Sequence, residues 1–252
     1  MVCPVCNGSG WVNYYDEEGR FYCKECSCGI RQAEIMKNRL KFADIPEAFK
    51  DEQLKNFRLS LYSKEGKEIA SEACNVVKYW LDNLEEMTEK GKGLYFYSKA
   101  KGSGKTKIAV SIANELIHKY GKQVKFCTSM QIVNAIKDTW HDNESGSESK
   151  LLSDLGRTAY LIIDDFGTEQ AKDWISEKFY SVINQRYVDK KVTIITSNYP
   201  IEKLPYDERI KDRISQICFD VPFPEESVRK VLASIDKQDL NNMMKRKDQE
   251  NG

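Results

Sequence analysis

Apolar residues along this chain follow two rhythms, and the second takes over near residue 93. From there, short apolar runs alternate with longer stretches of helical spacing. The strand-like runs are GLYFYS (93–98), VKFCTS (124–129), YLIIDD (160–165), VTIITS (192–197) and ICFDVP (217–222). Between them, residues 106–120 and 173–188 read as helices, with Ile108, Ile112 and Leu116 on one face of the first. Short strands that are apolar throughout, alternating with helices, predict a parallel sheet covered on both faces. The fold class is therefore α/β, with five parallel strands flanked by helices.

The earlier part of the chain reads differently. WVNYYDEEGRFY (11–22) reads as two short strands around a Glu-Gly turn. GIRQAEIMKNRLKFADI (29–45) reads as a charged helix, which the following Pro46 interrupts. Residues 65–87 place Ile69, Val76, Val77, Trp80, Leu81 and Leu84 at helical spacing. These breaks divide the chain into a small module at 1–45, a main domain at 46–236 and a polar, frayed tail at 237–252.

Composition narrows the class. The chain has 252 residues, 40% hydrophobic and 31% charged, which suits one large globular domain and a small one. No apolar run approaches the roughly 20 residues needed to span a bilayer. MVCPVCNGSG lacks the basic-then-apolar order of a secretory signal, so a cytoplasmic location is expected. The 39 basic and 39 acidic residues balance. A protein that grips DNA through phosphate neutralisation usually carries a basic excess, so any DNA contact here is local or assembled by several subunits.

Eight cysteines change the picture at the N-terminus. Five lie in the first 28 residues: Cys3, Cys6, Cys23, Cys26 and Cys28. Their C-x-x-C spacing points to a tetrahedral Zn²⁺ site rather than to disulfides, with one of the five thiols spare. A ribbon this small has almost no core, so the metal would supply much of its folding free energy. Free thiols on a disordered arm are the alternative. Cys74, Cys127 and Cys218 lie in apolar stretches and read as small core residues.

The candidate chemistry lies at the strand ends. SKAKGSGKT (98–106) follows a strand and opens a helix, the context that gives a phosphate-binding loop its function. Backbone N–H groups of Gly102, Ser103 and Gly104 and the helix N-terminus would cradle phosphates. Lys105 would pair with the β- and γ-phosphates and Thr106 would hold Mg²⁺. The full pattern asks for glycine at position 99, where this chain has Lys99. YLIIDDFGTE ends a strand in two carboxylates: Asp164 would coordinate Mg²⁺ and Asp165 would polarise the attacking water, with Glu169 in reserve. VTIITSNYP offers Thr196, Ser197 and Asn198 at a third strand end. DERIKDRI places Arg209 and Arg213 four apart on one helical face, and EESVRK holds Arg229.

Together CPVCNGSGW, CSCGIRQAE, IPEAFKDEQLKNF, GSGKT, LIIDDFGTE, IITSN, RIKDRI and ESVR resemble the AAA+ helicase loaders of the DnaC/DnaI type, in phage or prophage versions with an N-terminal zinc module. IstB-type transposition ATPases share much of this core. The resemblance implies ATP hydrolysis, with Asn198 as sensor 1, Arg213 as arginine finger (Arg209 second) and Arg229 as sensor 2. Lys107 joins the nucleotide-binding set. It favours Cys3, Cys6, Cys26 and Cys28 as zinc ligands, leaving Cys23 as the alternative. It assigns residues 135–155 to DNA binding, with Trp140 stacking on a base. The implied partners are the replicative helicase hexamer, single-stranded DNA and further copies of this chain. Asp165, where glutamate is commoner, implies slow, partner-stimulated hydrolysis. Two alternatives stand beside the loader: a transposition ATPase acting on duplex DNA, and a nucleotide-gated adaptor with little hydrolysis.

Overall fold

The computed structural model describes residues 2–140, 146–169 and 172–250. Two strands, β1 (Trp11–Tyr15) and β2 (Phe21–Glu25), pair antiparallel into a hairpin. The helix α1 (Ile30–Ala43) follows, opened by Gly29 at φ 78° and closed by a left-handed Asp44. Three single 3₁₀ turns then lead to α2 (Lys64–Asp82), capped by the Ser63 hydroxyl on the Gly66 N–H. The helix expected over 65–87 is interrupted at Asn83, and α3 (Leu84–Glu89) follows it.

The main sheet contains β3 (Gly93–Tyr97), β4 (Val124–Thr128), β5 (Tyr160–Phe166), β6 (Val192–Ser197) and β7 (Cys218–Pro222). Its order is β4-β5-β6-β3-β7, and every pairing is parallel. Within each apolar strand the side chains still alternate between faces. Leu94, Phe96, Ile162 and Ile194 face one core; Tyr95, Leu161, Ile163 and Ile195 face the other. The first core is closed by α2 and by α4 (Lys105–His118), whose Ile108, Ile112 and Leu116 are fully buried. The second is closed by α5 (Ser129–Thr139), α6 (Ser147–Arg157), α7 (Asp173–Val188) and α8 (Glu208–Ile217). Both faces are covered, as apolar parallel strands require.

Two features modify the domain reading. The helix α1 packs against β4 and α4, with Ala43 and Ile45 inside the first core and Met36 against it. It therefore sits on the main domain, although the sequence assigns it to the N-terminal module. The segment after residue 237, read as a tail, continues a helix, α9 (Val228–Glu250).

Arg186 in α7 is fully buried and binds five oxygens. It donates to Thr193 Oγ1 (2.8 Å), to the carbonyls of Leu155 (2.7 Å), Gly156 (3.3 Å) and Thr158 (2.7 Å), and to that of Val192. These acceptors include the end of α6 and the start of β6, so the guanidinium neutralises a helix C-terminus and pins three elements at once.

Candidate nucleotide site and metal centre

The loop between β3 and α4 answers the question raised by Lys99. Left-handed backbone falls on Gly102 (φ 78°) and Gly104 (φ 106°), and Lys99 is not among the left-handed residues. Both glycines are also sterically required. A Cβ on Gly104 would lie 2.6 Å from the Tyr62 hydroxyl, and one on Gly102 would lie 2.9 Å from Arg229 Cβ. A side chain at position 99 meets no such constraint and projects into solvent.

Lys105 opens α4 and is buried. Its Nζ donates to the carbonyls of Ser98 (3.2 Å) and Ala100 (3.1 Å) and to Ser103 Oγ (3.2 Å). The ammonium thus lies across the loop, bound only to neutral oxygens. Burial lowers its pKa, against the pull of Asp165, Glu225 and Asp164.

The carboxylates stand at the end of β5. Asp164 is buried and accepts from Thr106 Oγ1 (2.9 and 3.1 Å) and from Thr196 Oγ1 (2.6 Å). Burial raises its pKa to about 6, against the two hydroxyls and Lys105. The Thr196 Oγ1 also accepts from the Asp165 N–H at 2.9 Å. One threonine on β6 therefore aligns both aspartates. Asp165 is exposed at a register shift between β5 and β6, with φ 54°. Left-handed backbone in a non-glycine residue is strained, and such strain persists where its surroundings over-determine it.

The reserve carboxylate lies elsewhere. Glu169 is buried and accepts from Ser129 Oγ at 2.6 Å, and Ser129 also donates to the Asp165 carbonyl at 2.9 Å. Glu169 thus braces the loop after β5 against the start of α5. Asn198 is half-buried one residue beyond β6, where the Ser98 N–H donates to the Ser197 carbonyl.

The cationic residues are divided. Arg229 reaches the loop: its N–H donates to the Gly102 carbonyl at 3.3 Å. Lys107 Nζ is paired with Glu52 at 2.8 Å. Arg213 is held on its own subunit, with Nε donating to Asn184 Oδ1 (3.1 Å) and the guanidinium 4.4 Å from the Tyr187 ring centroid. Arg209 is paired with Asp207 at 2.8 Å. The Trp140 ring is 54% exposed, yet it packs edge-on against Trp174 (4.8 Å between centroids). Its Nε1 donates to Glu148 Oε2 at 2.9 Å. Residues 141–145 of the expected DNA-binding stretch lie outside the described residues.

At the N-terminus, the sulfurs of Cys3, Cys6, Cys26 and Cys28 lie within 4.8 Å of one another. Cys3 to Cys26 is 3.9 Å and Cys6 to Cys28 is 3.6 Å. A tetrahedral ion with Zn–S bonds of about 2.3 Å needs sulfurs about 3.8 Å apart, so this donor set fits zinc. Burial works against Cys6, but the Gly10 N–H, Cys28 and Gly8 bring it down to about 7. The Cys28 N–H favours the Cys26 thiolate, but burial and the neighbouring thiols push it up to about 12. Cys23 is exposed on β2, outside this group.

Sequence reasoning missed two supporting residues. The Tyr62 hydroxyl donates to the Ser103 carbonyl at 2.7 Å. Glu225 accepts from the N–H groups of Lys99 (3.0 Å) and Ala100 (3.1 Å). Both act through backbone atoms, which carry no side-chain signature. The one available signal for Glu225 is its position four residues before Arg229.

The model of the IstB-like ATP binding protein family matches residues 94–232, more than half of the chain. Replicative helicase loader DnaC of Escherichia coli K12 is 31% identical over 122 residues, covering 48% of this chain and 49% of that protein. The chain thus spans about half the length of that relative. Phage-like element PBSX protein XkdC of Bacillus subtilis is 29% identical over 202 residues, covering 77% of this chain and 71% of that protein. Among solved structures, the crystal structure of the DnaC helicase loader superposes with a TM-score of 0.60 and 22% identity, covering 71% of this chain and 100% of that one. The fold is that of an AAA+ P-loop domain.

Proposed function

This chain belongs to the IstB-like ATP-binding family, and we propose that it is an ATP-dependent helicase loader. In this reading it binds a replicative helicase hexamer and helps place it on single-stranded DNA. The observation that carries the reading is the convergence of Lys105, Thr106, Asp164 and Thr196 on one loop, in a chain similar to DnaC.

The residues divide the work as follows. The N–H groups of Gly102, Ser103 and Gly104 and the start of α4 receive the phosphates. Lys105 exchanges its loop carbonyls for β- and γ-phosphate oxygens, which answer its charge better. Thr106 and Asp164 would hold Mg²⁺, which neutralises phosphate charge when bound. Asp165 polarises the attacking water, and Asn198 orients it against the γ-phosphate. Arg229 contacts the nucleotide within its own subunit. Arg213 leaves Asn184 and Tyr187 to enter a neighbour's site on self-association. Exposed Trp140 stacks on single-stranded DNA. Cys3, Cys6, Cys26 and Cys28 hold structural zinc in the module that grips the helicase.

The test is a light-scattering measurement of the purified protein mixed with its host's replicative helicase, with and without ATP. A stable complex on the hexamer is expected. Its ATP dependence should disappear in Lys105→Ala. Absence of a complex in every condition sinks the loader reading, and duplex DNA then becomes the partner to test.

A further inference from the structure

We propose that Glu225 is a positioning residue of the phosphate loop, holding its first residues where related loops rely on glycine. This rests on the nucleotide-binding reading above. Residues 224–229 lie across the loop as a strap. The Ser98 hydroxyl donates to the Pro224 carbonyl at 2.8 Å. Glu225 Oε1 accepts from the Lys99 N–H at 3.0 Å, and Oε2 from the Ala100 N–H at 3.1 Å. The Arg229 N–H closes on the Gly102 carbonyl at 3.3 Å. The strap is itself anchored, because Glu226 accepts from the Ser63 N–H (3.2 and 3.1 Å) and hydroxyl (2.9 Å).

A carboxylate that takes two successive backbone N–H groups fixes the peptide planes between them, and each bond is strengthened by the charge. At Lys99 the backbone is not left-handed, so glycine is not sterically required there. Within the loop the Ala100 N–H also donates to Ser98 Oγ at 3.1 Å, whereas the Lys99 N–H is answered by Glu225 from 126 residues away. Its two N–H groups lie at the start of the loop. The donors that would receive phosphate come later, from Gly102 onward. Glu225 therefore holds the loop without occupying the phosphate cradle.

The experiment measures binding of a fluorescent ATP analogue, together with KM, kcat and melting temperature, for the full chain and two variants. Glu225 is exposed, so both variants should fold. In Glu225→Ala, affinity should fall and KM should rise about tenfold, as expected for losing two charge-assisted bonds in solvent, with kcat held within about twofold. Glu225→Gln keeps an acceptor oxygen and should recover most of the loss. Unchanged or tighter binding in Glu225→Ala would overturn the proposal, since it would make the carboxylate a mere negative charge near the phosphates. A parallel loss of melting temperature and kcat would overturn it too, as a purely structural role. Failure of the unaltered chain to bind nucleotide would sink the nucleotide reading itself, which separates the two failures.

Discussion

Thr196 has the most demanding position of any single side chain in the site. Its one oxygen donates to Asp164 and accepts from the Asp165 N–H. Valine has the same shape and neither bond. Thr196→Val should leave nucleotide affinity within about threefold and lower kcat by about tenfold or more, because it unfastens the strained Asp165 backbone without touching the phosphate donors. Steady-state ATPase kinetics alongside nucleotide binding would decide. Equal losses in both would mean that Thr196 supports the whole site rather than the aspartate pair. Strand-end chemistry of this kind was legible in the sequence only as a cluster. IITSN announced polar residues after an apolar strand, but which hydroxyl faced the aspartates depends on register across β5 and β6.

At the scale of elements, the apolar rhythm predicted the five strands and the helices around α4 and α7, because both faces of a parallel sheet demand burial. What it could not show was how the elements are fastened. Among the described residues Arg186 has no acidic partner to betray it; its acceptors are four carbonyls and a hydroxyl brought together by the fold. Arg186→Met would leave those oxygens buried and unanswered and should cost about 3 kcal/mol or more of stability. Arg186→Lys should recover only part, since an ammonium cannot match the planar fork. Denaturant midpoints for the two variants would check this. A cost below about 1 kcal/mol for the methionine variant would mean that water replaces the guanidinium. The break at Asn83 was equally hidden, because the apolar spacing continues through Leu84 and Met87.

At the scale of the molecule, the two cores and the cysteine cluster predict separable behaviour. The ribbon's strands are almost wholly exposed, so a zinc ion on the four cysteines would supply most of what holds them. Treatment with a strong zinc chelator should release one metal ion per chain and abolish the chemical-shift dispersion of residues 3–28. The main melting transition should change by no more than a few degrees. Calorimetry and NMR on the same sample would show both. Collapse of the main transition on metal loss would mean that the ribbon braces the main domain.

The seat of α1 gives this separation an anatomical limit. Gly29 is left-handed, and among the described residues nothing lies within 4 Å of a Cβ placed on it, so that one side of the joint faces open space. The next residue begins a 14-residue helix whose far end is embedded in the first core. The ribbon does not end at Gly29: Arg31 lies over the Trp11 ring at 5.5 Å and Gln32 donates to Glu25 at 2.8 Å, so one end of α1 is fastened to the ribbon and the other to the core. A pull on the ribbon is therefore passed through the first turn of α1 onto a shaft that lies against α4, the helix whose first turn carries Lys105 and Thr106.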